Sequence, residues 1–195
     1  MIYPSLEMIA KHLNTNIYEK WGATINGTGE IVELDNIANI NEEKNDLQNK
    51  IILTLLKTEE EPVLKNGPFY ANKSPKEVIK HHPAVYLNLY LLVSITKKDY
   101  REALQLLSDT ITFFQSHKVF TSQATGDGSG STEESSFRII VELYNFSFQD
   151  FFDMWGNLGN KQFPSVIYKL RLLKFLDREE QKEIPVIEKI NIEHK

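Results

Sequence analysis

The chain contains no cysteine, which removes disulfides, thiolate–zinc sites and cysteine nucleophiles together. It has no apolar run approaching the roughly 18 residues that a membrane-spanning helix needs. Its opening stretch, residues 1–14 (MIYPSLEMIAKHLN), lacks the basic start and apolar run of a secretory leader. The expectation is a protein made and kept in the cytoplasm, or leaving it by a route other than ordinary secretion. Basic clusters are scarce as well, none longer than Lys97-Lys98 in a chain of net charge −5 and pI near 5.6, so no nucleic-acid partner is expected. What remains is 195 residues, 41% apolar and 25% charged. That suits one domain, or one domain with arms, around a sizeable core.

Periodicity divides the chain. Leu6, Ile9, Ala10, Leu13, Ile17 and Trp21 share one face of an amphipathic helix, with Pro4 suited to the first helical position and Gly22 to its stop. The turn Asn26-Gly27-Thr28-Gly29 leads to a short strand around 30–34. Residues 35–49 read as a polar loop. The nearly unbroken apolar run in 50–58 reads as a strand covered on both faces. Residues 59–83, with Pro62, Gly67, Pro68, Pro75 and Pro83, read as a long ordered excursion without regular structure. Residues 84–95 alternate, with Val85, Leu87, Leu89, Leu91, Val93 and Ile95 on a dry side and Tyr86, Asn88, Tyr90 and Ser94 on a mixed one. Asp99 with Glu102 opens a helix to about Ser116. Ala103, Leu104, Leu107, Ile111 and Phe114 are expected on its sheet side, with Leu106 and Phe113 on a second flank. After a polar loop (121–136) come a strand at 137–144, a helix opened by Ser147 and Asp150 that carries Phe148, Phe151, Phe152, Trp155 and Leu158, and a last strand at 166–175. The order predicts a single α+β domain, a mixed or antiparallel sheet packed with helices, over residues 1–177. A charged tail, 178–195, follows.

Signals of chemistry are weak. Gly126–Gly130 (GDGSG) follows a helix and precedes a strand, the reverse of a phosphate-cradling loop. Asp127, Ser129 and Ser131 have calcium-loop spacing, yet the twelfth position is Arg138, a cation where a carboxylate is required. His81 and His82 are adjacent, so in extended chain they point apart. His12 and His117 have no ligand partner at three or four residues. His12 suits the surface side of its helix, and His117 suits a helix C-terminus. Glu59-Glu60-Glu61 reads as a solvated acidic edge. Trp155 is either core or a partner-facing aromatic. No catalytic residue, metal site or cofactor is expected. An enzyme using 59–83 as a lid is the reading from another class, and no convergent His, Asp or Lys motif supports it.

Three segments, in order, carry a resemblance. They are Asn49-Lys50 through IILTLLKTEEE to Leu64-Lys65-Asn66; PAVYLNLYLLVSI (83–95) into DYREALQLLSDTITFFQSHKVFT (99–121); and MWGNLGNKQFPSVIYKLRLL (154–173). From about Ile2 to Phe175 the chain resembles the tube-terminator, or cap, proteins of contractile phage-tail-like injection systems, of the Photorhabdus-virulence-cassette and antifeeding-prophage type. Trp155, Gly156, Leu158, Gly159, Pro164, Ser165, Tyr168 and Arg171 are the most specific part of the likeness, their role in fold or interface left open.

The resemblance implies a phage tail-terminator-like fold and a non-enzymatic structural role. Family members are expected to form a homohexameric ring that halts the inner tube protein and links the tube end to the last layer of sheath protein. An adaptor at a baseplate or membrane-facing junction of the same particle is the alternative. The particle would assemble in the cytoplasm and be released or membrane-anchored, the chain itself not inserting into a membrane. Many relatives have a longer C-terminal extension; here the tail could add a strand to a neighbour's sheet edge or bridge ring subunits.

Overall fold

The computed structural model describes residues 2–22, 30–41, 47–64, 70–74, 77–80, 85–122, 137–159, 161–175 and 182–185. In chain order the elements are α1 (Ile2–Trp21), β1 (Val32–Leu34), a 3-10 turn (Ile37–Asn41), β2 (Ile51–Glu60), a second such turn (Pro62–Leu64), β3 (Tyr70–Ser74), β4 (Glu77–Lys80), β5 (Val85–Ile95), α2 (Tyr100–Ser116), β6 (Val119–Ser122), β7 (Phe137–Tyr144), α3 (Phe148–Asn157), β8 (Ser165–Phe175) and β9 (Lys182–Pro185). The class is α+β, as the sequence predicts.

The chain falls into two compact units, residues 1–59 with 88–173, and residues 60–87 with 174–195. The first holds a six-stranded sheet in the order β1-β2-β5-β8-β7-β6. It is mixed: β1 runs parallel to β2, while β7 runs antiparallel to both β6 and β8. The second holds an antiparallel sheet, β3-β4-β9, with Val78 opposite Ile184. The excursion at 59–83 is therefore partly regular, against expectation. β2 runs on to Glu60 and a hairpin follows. Such short strands lie below what periodicity resolves, because their partner β9 is far along the chain. The tail beyond 177 contributes β9 to the same unit.

Helices cover both faces of the large sheet. On one side α1 buries Leu6, Ile9, Ala10, Leu13 and Ile17, as its spacing predicts. Gly22 ends it: the Gly22 amide donates to the Tyr18 carbonyl at 2.8 Å, and a Cβ there would lie 2.6 Å from that oxygen. Pro4 falls inside the first turn, where the missing N–H still costs no intrahelical bond.

Beside it α2 starts at Asp99, whose carboxylate accepts from the Arg101 and Glu102 amides. Its buried line is Ala103, Leu106, Thr110, Phe113 and Phe114. Leu104 and Ile111, expected against the sheet, are exposed. Seven apolar residues give this helix two possible stripes. Packing chose the one that brings Phe113 and Phe114 to Phe120 of β6 and Phe114 to Tyr168 of β8.

The opposite face is covered by α3 and by the segment before β2. Here the polar loop predicted at 35–49 proves structural, since Ile37, Ile40 and Leu47 join the core. Two buried threonines hold it. The Thr54 hydroxyl accepts from the Ile37 amide and donates to the Asp35 carbonyl; the Thr96 hydroxyl accepts from the Lys50 amide and lies 2.5 Å from the Leu47 carbonyl oxygen. The mixed side predicted for β5 is a correction of the same kind. From Asn88 to Ile95 every residue is buried, because β5 lies between β2 and β8 with helices on both sides.

Candidate functional site

The residues singled out by the resemblance cluster around α3 and the start of β8. Ser147 caps α3: its hydroxyl accepts from the Asp150 amide at 3.2 Å and donates to the Asp150 carboxylate at 2.6 Å. The helix then aims Phe151 and Trp155 inward. Trp155 is 4% exposed and packs with Ile37, Ile40, Leu47, Ile52, Leu92 and Ile167. Its ring meets Phe151 at 6.4 Å and Phe163 at 6.0 Å. The indole N–H finds no acceptor among the described residues.

Gly156 is exposed at the helix end, and its carbonyl accepts from the Leu158 and Gly159 amides. Leu158 packs against the Trp155 cluster. Gly159 has φ +104°, a backbone setting that costs a side chain strain and glycine none. The Pro164 carbonyl accepts from the Ile95 amide at 3.0 Å, registering the start of β8 on β5. The Ser165 hydroxyl is buried with no partner among the described residues.

On β8, side chains alternate between the two layers. Ile167 faces Trp155, whereas Tyr168 faces Phe114, with ring centroids 4.4 Å apart. Burial pushes the Tyr168 phenol up to about 12. Its hydroxyl has no hydrogen-bond partner among the described residues. Arg171, on the Ile167 face, pairs with Glu142 at 3.4 Å. Among them Gly156, Leu158 and Gly159 lie at the helix end, the Pro164 carbonyl registers β8 on β5, and Trp155 and Tyr168 pack into the layers on the two faces of the sheet.

Electrostatics are local. Glu59 keeps a solvent-exposed side chain, with Tyr90 donating to its carboxylate at 2.8 Å and Lys57 at 3.5 Å. The Tyr90 hydrogen bond first, then the Lys57 charge, hold that carboxyl below its usual range. Glu60 is exposed as an acidic edge requires, whereas Glu61 is buried, a departure from that expectation. Lys57 and Lys169 both lie 5.7 Å from the Tyr90 ring centre, a cation–π arrangement. His12 is exposed with its ring near Phe120, and His117 caps α2 with its amide donating to the Phe113 carbonyl. His81, His82 and the 126–130 glycine run lie outside the described residues. No trio of His, Asp and Glu gathers into a metal-holding group among the described residues.

What sequence reasoning missed is the exposed apolar surface beside α3. Phe148 is 83% and Phe152 59% exposed, and Leu143 of β7 is 56% exposed. Ile111, Leu143, Phe148 and Phe151 line a mostly apolar cleft of about 350 Å³. Periodicity gave no warning, because Phe148, Phe151, Phe152 and Trp155 fall within about 100° of one helix face, the width of an ordinary buried stripe.

With that geometry in place, the chain can be placed by class and then by family. It is an α+β domain whose helices sandwich a mixed sheet. It belongs to the Pvc16 N-terminal domain family, whose family model matches residues 6–189.

Two solved structures share the fold. One is the sheath/tube terminator of an extracellular contractile injection system (PVC) in its extended state, with TM-score 0.56 and 13% identity over 94% of this chain and 62% of that one. The other is the tube-terminating cap of the anti-feeding prophage, with TM-score 0.53 and 12% identity over 93% of this chain and 60% of that one. The chain therefore spans less than two thirds of either structure. No curated relative matches it.

Proposed function

We propose that the chain caps the inner tube of a contractile injection particle and links the tube end to the last sheath layer. It works as a structural protein, making and breaking no covalent bond. The observation that carries this reading is the family match across residues 6–189, joined to a fold shared over 94% of the chain with a sheath/tube terminator. In this reading residues 1–177 form the terminator-like domain and 178–195 an arm held through β9. The assembled form is a homohexameric ring that contacts tube and sheath proteins, put together in the cytoplasm as part of the particle. Trp155, Gly156, Leu158, Gly159, Pro164, Ser165, Tyr168 and Arg171 act as determinants of the fold that presents those contacts.

Deleting the gene should leave tubes of uncontrolled length or few intact particles, read by negative-stain electron microscopy. A labelled chain should sit at the end opposite the baseplate. Deletion particles of normal length and contractility would sink the proposal, and a label at the baseplate would favour an adaptor there.

A further inference from the structure

The apolar stripe that α2 leaves unburied runs into the cleft beside α3. Tyr100, Leu104, Leu107 and Ile111 share one helix face, about 16 Å long, and all but the half-buried Leu107 are exposed. At its far end Ile111 joins Leu143 and Phe148 in lining the cleft of about 350 Å³. Phe152 stacks beside Phe148, with ring centres 6.4 Å apart. The surface these side chains expose is on the order of 700 Å², above the about 300–600 Å² of a typical monomer's largest patch and near the about 800 Å² that one side of a standard interface buries.

This surface carries almost no charge. Both acids of α2 lie on its other side, Glu102 paired with Lys97 and Asp109 with Lys20. Ser108 and Thr112 flank the stripe and donate back to the Leu104 and Ser108 carbonyls, so they require no outside partner. Arg101 is the single cation of the helix. On α3, Asp150 and Asp153 lie about 140° or more round the helix from Phe148. A face that fits here is itself apolar and uncharged, because burying an unpaired charge is costly. A lipid surface is disfavoured, since one arginine supplies little attraction to headgroups. Strand addition is excluded too: α2 is a helix, and β7 is already paired on both sides, by β6 and β8.

We propose that this surface seats an amphipathic helix of another protein, whose rows of side chains pack against the α2 stripe and whose contacting face is apolar and uncharged. One bulky side chain of that helix enters the cleft. A second copy of this chain is a poor occupant. The other exposed large apolar side chains of the first compact unit, Tyr3, Tyr18 and Val119, lie outside the stripe and cleft, so a second copy could offer only this same patch. Such a contact is two-fold and closes with two copies. The proposal deepens the cap reading, on which the partner is a tube or sheath protein.

Photo-crosslinking in producing cells reads the contact. Leu104→benzoylphenylalanine and Phe148→benzoylphenylalanine, each in the full chain, should mark the same helix of one other protein, identified by mass spectrometry of the joined peptides. Ile111→Arg should cut both yields about tenfold or more and leave the thermal unfolding midpoint of the purified chain unchanged. Leu104→Arg, read from position 148, repeats the test should Ile111→Arg unfold. Val119→Arg, outside the patch, should alter neither yield. In freshly lysed cells, salt at about 1 M should leave most of the crosslink, since no ion pair is there to be screened. Crosslinks to a second copy, to lipid or to nothing overturn the proposal, as do yields that the arginine variants leave unaltered or that salt abolishes. A marked helix in a protein outside the particle would fault the cap reading and not this surface. An unpartnered surface, with tube length still lost on gene deletion, would fault this surface alone.

Discussion

Tyr168 brings a phenol into the layer between β8 and α2 without giving its hydroxyl a partner among the described residues. A buried donor left unmade costs about 1–3 kcal/mol, so Tyr168→Phe should raise stability at neutral pH by about 1 kcal/mol, measured by urea unfolding. The alkaline side gives a second readout. Burial raises the folded phenol to about 12, above the unfolded value of about 10. The stabilising contribution is whole below about pH 10 and is lost as pH climbs towards the folded value. Tyr168→Phe should flatten that decline, and an unchanged alkaline profile would show that Tyr168 is not its source. Trp155 gives the converse case. Sequence left open whether it faces core or partner, and at 4% exposure among six aliphatic neighbours it is core. Trp155→Ala should cost about 3–5 kcal/mol in equilibrium unfolding; a loss below about 1 kcal/mol would mean that the pocket collapses around the gap.

Among the elements, α1 and α2 are joined at one carboxylate. Lys20 donates to Asp109 at 3.0 Å and the Trp21 indole at 2.8 Å. Burial alone would raise that carboxyl, but the Trp21 and Lys20 hydrogen bonds and the Lys20 charge outweigh it and leave it below its usual range. A depressed carboxyl stabilises the fold above the ordinary carboxylate range and loses that contribution as pH falls through the folded value. Asp109→Asn should therefore cost about 1 kcal/mol at pH 7, after allowance for partial exposure, and the gap to the parent should close below about pH 4. Thermal unfolding from pH 7 to pH 3 reads both. Elements of this kind were legible where one period dominates: α1, β5, β7 and β8 lie close to where their spacing puts them, and Asp99 and Ser147 open their helices as capping chemistry predicts. The rest was hidden for physical reasons. The stripe buried on α2 was decided by Phe120 and Tyr168, which lie outside the helix. The 35–49 segment is polar by composition and structural through Thr54 of β2 and Thr96 just past β5, residues outside the segment. β3, β4 and β6 are too short to show a period and depend on distant partners.

At the scale of the whole molecule, 13% identity accompanies a fold shared over 94% of the chain. Such a pairing is expected when what persists is which positions are buried, since cores tolerate extensive apolar exchange if pattern and volume survive. The motif residues Trp155 and Tyr168 were legible as a set only through the resemblance, and the fold puts them on opposite faces of one sheet; the aromatic surface of Phe148 and Phe152 was not legible, because exposure is a property of the assembled fold. One margin of that sheet has a further consequence. The Asn14 side-chain carbonyl accepts from both the Ile31 and Val32 amides, so α1 satisfies β1 at its outer start. A stray strand arriving at this border would have to displace a helix anchored by Leu6, Ile9, Leu13 and Ile17. Amyloid-like stacking, to which bare strand margins are prone, is thereby discouraged on this side of the molecule.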